Sequence, residues 1–303
     1  MQILFAFFRS NNNSVSKSEK ELFHSIDKTF ELYHYFLILI IDIANYAESK
    51  IDLARQKNIP TEEDINPNTK FIDNKIINQI SINKQLKTYL NNVKLSWVNN
   101  PELIKNLYIT IIESEDYRSY MQTDNCNYSD DKKFVITIFE KHIANSELLF
   151  QIIEEQSIYW NDDIEFVLSM IIKTIKKFNE KDEEKAELLK LYKSKDDIEF
   201  IKTIFRKTIL NHEENVELIK KNITNWDIDR IAFMDLLLIE IAITEIKEMT
   251  SIPIKVSFNE YIEIAKFYST RKSSIFINGI LDKIINNLKA ENKIIKKGKG
   301  LIG

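Results

Sequence analysis

Apolar positions recur every three to four residues along this chain, the spacing that places them on one face of a helix. Met1 opens directly onto an apolar helical pattern, with no cap residue and no polar lead-in. A loop follows at 11–18, then one long helix or two over 18–57, strongly apolar from 30 to 44. Pro60 and Pro67 mark a linker over 58–69. Further helices are predicted at 71–93 and at 101–121, the second opened by Pro101 at an early helical position, with a polar loop at 123–129. Residues 228–249 are apolar nearly all round between Leu236 and Ile243, the mark of a central helix covered on several sides. Pro253 stops it. Ser257 followed by Glu260 has the form of a capping box that opens the next helix. Its apolar face is Phe258, Tyr261, Ile262, Ala265 and Tyr268. Ser273 or Ser274 is expected to cap the last helix, and residues 291–303 are expected to form a disordered basic tail.

A repeat crosses the middle of this pattern. DDKKFVITIFEKHIANSE at 130–147 and DDIEFIKTIFRKTILNHE at 196–213 share ten of eighteen positions without a gap, at an offset of 66. The register continues, aligning Trp160 with Trp226 and Asp163 with Asp229. Two similar helical hairpins are expected. The segments then read as an N-terminal helical region at 1–129, a hairpin repeat unit at 130–195, a core at 196–292 and a tail at 293–303.

Composition narrows the class. Four Gly and four Pro in 303 residues leave little room for hairpin turns, so the predicted fold is an all-α helical bundle. Ile, Asn and Lys dominate while Arg is scarce, a bias of AT-rich coding sequence that makes lysine content weak support for nucleic-acid binding. The distribution of charge says more. Net charge is −4, yet the stretch from Ser251 onward has ten Lys/Arg against four Asp/Glu. A basic end facing an anionic partner and an acidic body are implied. The single cysteine, Cys126, excludes an intrachain disulfide and fits a reducing cytoplasm. No apolar run approaches the roughly 20 residues that cross a bilayer.

Most catalytic chemistry lacks its residues. Gly279 stands alone until Gly298, so no glycine-rich phosphate loop exists. His24, His34, His142 and His212 form no His-Glu-x-x-His pair, and no cysteine cluster could hold zinc, so neither metal nor cofactor is expected. The Asp-Asp-Ile-Glu-Phe runs at 162–166 and 196–200 could serve acid–base chemistry. Beside helix starts they read better as caps.

Gly279 lies within an otherwise helical apolar pattern, where glycine costs roughly 0.5–1 kcal/mol against alanine. A close crossing by another helix is the expectation. The surrounding segment has Pro253, Asn259, Glu260, Ala265, Lys266, Ser273, Phe276, Asn278, Gly279, Leu281 and Asp282. This series resembles the C-terminal signature of the NusB family of transcription antitermination factors. The likeness extends upstream through the helices around Asn211 and Glu245, and to Gln2, Leu4 and Phe5 of the first helix. Residues 15–195 resemble the additional helices of longer family forms.

The resemblance implies an all-helical, non-enzymatic, cytoplasmic protein. It would pair with NusE, a small-subunit ribosomal protein, on boxA-type RNA within the transcription elongation complex, promoting ribosomal RNA synthesis. Arg271 and Lys272 would contact phosphate, Phe276 would stack a base, and Lys283 would lie on the same helix face as Phe276. Asn259, Glu260, Asn278, Gly279 and Asp282 would be structural motif residues. Taken alone, Phe276 reads better as a core aromatic.

The chain departs from the family in three ways. The family's Arg-rich N-terminal arm is missing from this sequence: Met1 falls where the family is already inside its first helix, so either the start codon is misassigned or the arm is lost. Glu240 replaces a usual Arg, and Lys207 a usual small residue. The competing reading is a non-catalytic helical scaffold that binds only protein. A methyltransferase accessory domain would need a glycine-rich cofactor domain and a catalytic cysteine, which this sequence does not contain.

Overall fold

A computed structural model describes residues 1–10, 14–124, 126–223 and 231–301. The described residues contain no strand, and the fold is all-α. In chain order the helices are α1 Gln2–Arg9, α2 Val15–Arg55, α3 Glu62–Ile65, α4 Lys75–Ile82, α5 Lys84–Asn92, α6 Pro101–Ile112, α7 Glu115–Gln122 and α8 Tyr128–Thr137. They continue with α9 Glu147–Gln156, α10 Ile164–Lys177, α11 Lys195–Leu210, α12 His212–Asn222, α13 Phe233–Glu248, α14 Ile254–Tyr268 and α15 Arg271–Ala290. Two compact units result. A terminal unit joins Met1–His24 to Tyr192–Gly303, and a middle unit spans Ser25–Leu191. The segment boundaries read from the sequence, at 129/130 and 195/196, do not follow this division: residues 25–129 and 130–191 share one unit, and residues 1–24 pack with the C-terminal helices.

The terminal unit is built around α13. Residues Leu237 to Ile246 of this helix are all buried, and α1, α11, α12, α14 and α15 pack on it. A helix apolar on every side can only be stable when covered in this way. In α15, Ile277, Leu281, Ile284 and Leu288 are buried at helical spacing against Tyr261 and Ala265 of α14. Each fully buried Leu or Ile contributes roughly 1.5–3 kcal/mol of transfer free energy. The polar groups buried on α13 are mostly paired. The Tyr261 hydroxyl donates to Glu245 at 2.8 Å, and the Asn215 amide donates to the Thr244 hydroxyl at 3.2 Å. Leu4 of α1 lies in this core, with Phe5 and Phe8 packed against it.

Several boundaries correct the sequence expectation. α14 starts at Ile254 with Pro253 as its N-cap, so Ser257 is inside the helix rather than capping it. Ser257 is fully buried and its hydroxyl has no hydrogen-bond partner among the described residues. α15 is capped by Thr270, whose hydroxyl accepts from the Ser273 amide at 3.1 Å, and not by Ser273 or Ser274. Residues 291–301 are not disordered. The Lys297 amide donates to the Thr250 carbonyl at 2.9 Å, Lys296 Nζ donates to the Met249 carbonyl at 2.9 Å, and Gly298–Leu301 form a 3-10 turn. The tail thus satisfies carbonyls left open at the end of α13.

Gly279 brings the clearest reversal. A Cβ built there meets nothing within 4 Å, so no helix among the described residues crosses close to it. The close approach belongs to Gly300, where a Cβ would fall 2.1 Å from the Thr250 carbonyl oxygen.

In the middle unit the apolar stretch of α2 is central, with Leu32 to Ile40 buried. Trp97 stacks on Tyr35 at 3.7 Å and its indole donates to the Tyr35 carbonyl. The helices expected at 71–93 and 101–121 are each divided. Asn83 adopts a non-helical ψ of 124° and its side chain accepts from the Gln85 and Leu86 amides, which ends α4 and starts α5. Ser114 does the same between α6 and α7 through the Tyr117 amide. Capping side chains compete with the backbone in this way, and apolar periodicity does not register them.

At the offset of 66, α8 with its π-helical continuation Ile138–Ile143 and α9 match α11 and α12 to within a residue at each end, while α13 starts three residues and ends five residues beyond the position that α10 predicts. α8, α9 and α10 of the middle unit correspond in order to α11, α12 and α13 of the terminal unit. Trp226 and Asp229 lie outside the described residues, so the expected equivalence of the tryptophans does as well. The second carboxylate run caps as expected: Ser194 and Asp197 form a capping box at the start of α11. In the first run Asp163 instead accepts from the Thr29 hydroxyl, and burial raises its pKa.

Candidate nucleic-acid interface

Two elements meet where α14 turns into α15. Ser269 Oγ donates to Asp235 Oδ1 at 2.6 Å, tying the turn to the first turn of α13. Thr270 then caps α15. Arg271 and Lys272 are consequently the first two residues of a 20-residue helix and not part of a loop. Lys272 is exposed. The first turn of α15 contains no acidic residue. Cations at this end oppose the helix dipole, while the free amides of the same turn favour anions. A phosphate placed here would meet the exposed Lys272 and a helix N-terminus together.

The other expected contacts are placed differently. Phe276 is half-buried and packs against the core of the terminal unit. Lys283 is half-buried and its ammonium donates to the Asn222 carbonyl at 2.9 Å, at the C-terminal end of α12. A cation there complements the α12 dipole. Lys283 also lies twelve residues beyond Arg271, roughly 18 Å along the helix. Lys272 is therefore open to solvent, whereas Phe276 and Lys283 are partly engaged within the unit.

The motif residues lie on the outside. Asn259 and Glu260 are exposed on α14, and Asn278, Gly279 and Asp282 on α15. Asp282 accepts from Asn286 at 3.3 Å. Ile275, 69% exposed, lies on the same helix.

The two departures on α11 and α13 are accommodated locally. Glu240 is buried with its carboxylate 2.8 Å from His212 Nδ1, and Phe8 stacks on the imidazole at 4.4 Å. Burial pushes the Glu240 carboxyl above its ordinary range, and the His212 hydrogen bond opposes that shift. Lys207 pairs with Glu248 at 3.4 Å.

One group went unnoticed in the sequence. The Arg9 guanidinium lies over the Phe233 ring, 4.4 Å from its centroid, and 5.9 Å from that of Phe5. Phe233 is two residues from Asp235, so this group sits at the same end of α13 as the turn into Arg271 and Lys272. The only hint in the sequence is an arginine ending an aromatic-rich helix. Helical spacing does not say which ring it covers.

Among the described residues, no group of His, Cys, Asp and Glu could hold a metal ion. No helix of the described residues is long and apolar enough to cross a membrane.

Comparison with known proteins assigns residues 165–286 to the NusB family. The chain is 44% identical over 105 residues to the transcription antitermination protein NusB of Salinibacter ruber, which covers 35% of this chain and 66% of the relative. It is 44% identical over 104 residues to that of Chloroherpeton thalassium, covering 34% and 49%. It is 43% identical over 90 residues to that of Natranaerobius thermophilus, covering 30% and 65%. The chain thus spans about half to just under two thirds of the length of these relatives. No solved structure matches the chain. Residues 165–286 thus match the NusB family, and the described residues of that region are helical around the buried α13.

Proposed function

We propose that the chain is a non-catalytic, cytoplasmic RNA-binding factor that promotes antitermination. In this reading it pairs with NusE on boxA-type RNA within the transcription elongation complex and supports ribosomal RNA transcription. The observation that carries the reading is the NusB-family region itself, which supplies an acid-free helix N-terminus opened by Arg271 and Lys272. Charge supports it. The terminal unit has 22 Lys/Arg against 18 Asp/Glu, while the middle unit has 20 against 28. Long-range attraction of a polyanion would thus favour the terminal unit. Asn259, Glu260, Asn278, Gly279 and Asp282 are taken as the exposed faces of α14 and α15 available to a protein partner.

Fluorescence anisotropy with boxA-type RNA, with and without NusE, across a salt series, tests this. Binding should strengthen with NusE and weaken with salt. Replacing Arg271 and Lys272 together by Ala should weaken it and flatten the salt dependence. Smaller losses are expected for Phe276→Ala and Lys283→Ala, because both side chains are already partly engaged. Unchanged affinity in the double variant would remove the helix N-terminus from the interface.

The second reading, a protein-only scaffold, is favoured by the carboxylate excess of the middle unit. It predicts binding to NusE or another basic protein and no RNA affinity at any salt concentration.

A further inference from the structure

We propose that Arg9, laid on Phe233, is a second RNA contact that stacks one unpaired nucleotide and reaches its phosphate. The inference rests on the RNA-binding reading above and adds a residue outside the α14–α15 segment. Arg9 is exposed and ends α1. An arginine in the last turn commonly serves the open carbonyls of its own helix. Here Ser10 takes that role, because its amide approaches the Ala6 and Phe7 carbonyls at 3.0 and 3.3 Å and its hydroxyl donates to Phe7 at 3.1 Å. No carboxylate pairs with Arg9 among the described residues.

The guanidinium is instead spread over aromatic rings. Phe233 is itself held by Phe5, edge-on at 5.4 Å, and by Phe8 at 6.4 Å. A guanidinium lying over a ring spends one face on the ring. In an exposed residue such as Arg9 that leaves the other face and the N–H edge for a ligand. That combination suits an unpaired base stacked on the outer face, with a phosphate oxygen on the N–H edge. Ser269, bonded to Asp235, holds Arg271 and Lys272 at the same end of α13. A strand contacting that helix N-terminus therefore has Arg9 at the same end of the unit. Lysine at position 9 would keep the charge and lose the plane.

The test uses the full chain with NusE and a boxA-type RNA with 2-aminopurine placed at successive positions. Arg9→Ala should lower affinity roughly tenfold, within the range seen for one stacked base. It should also reduce the salt slope by about 0.7, the share of one single-strand phosphate. Arg9→Lys should restore the slope without restoring the affinity. At one RNA position the 2-aminopurine quenching seen with the wild type should be lost in both variants. If the wild type binds and both variants match it in affinity and quenching, Arg9 is only a surface cation and the inference fails while the RNA reading stands. If the wild type binds no RNA with NusE present, both fail together.

Discussion

Replacing Gly279 tests the reading of α15 most directly, because sequence and structure predict opposite signs. A glycine kept for a close helix crossing would be overpacked by any larger residue, at a cost of roughly 1–3 kcal/mol. In the structure it is exposed near the middle of a 20-residue helix, with nothing within 4 Å of a built Cβ. Its φ is not in the left-handed range. Gly279→Ala then changes only the helix propensity and the freedom of the unfolded chain, and stabilises by about 0.5–1 kcal/mol. Gly279→Leu should agree within a few tenths, since its side chain enters solvent. With a urea m-value of about 2 kcal/mol/M, the midpoint should rise by roughly 0.3–0.5 M. Urea unfolding followed by circular dichroism measures this, and hydrogen exchange of the α15 amides assigns the gain to that helix rather than to the middle unit. A loss of about 1 kcal/mol or more in both variants would refute the argument. Stabilised variants that bind NusE or RNA less well would mean the glycine leaves room for a partner.

Three other substitutions follow from the structure. Ser257→Ala should be neutral or stabilising by up to about 1 kcal/mol, because it removes a buried hydroxyl without a partner; a loss of about 1 kcal/mol on urea unfolding would restore its capping role. Gly300→Ala places a Cβ 2.1 Å from the Thr250 oxygen and should undock the tail, seen as faster exchange of the Lys297 amide; unchanged protection would show that the tail adapts. His34 is buried, bonded through Nδ1 to the Phe30 carbonyl, with its pKa lowered by burial to about 4. The neutral ring is the folded form, so stability is full above the ordinary value of 6.5. It is lost as pH falls from there toward 4, by about 3 kcal/mol. His34→Leu should flatten that acid limb, and an equally steep limb in the variant would place the titration elsewhere.

The fold class was legible because helical periodicity is local, and a chain with four glycines has few ways to turn. The buried centre of α13 was legible for the same reason: a helix apolar all round has no exposed solution. The charge asymmetry and the signature around Phe276 to Asp282 could be read without coordinates. Capping could not. Ser257, Ser273 and Ser274 all have suitable side chains, and only the path of the backbone selected Pro253 and Thr270. Gly279 and Gly300 look alike in a sequence, yet whether a Cβ meets an atom depends on what another segment places there. The same holds for charge. Lys283 and Arg9 are both cations on helices, but one is engaged by the end of α12 and the other lies over Phe233. Local pattern determined which elements form and which faces are apolar. Tertiary structure decided which polar groups are already paired and which remain available to a partner, because pairing joins residues whose separation along the chain carries no signal.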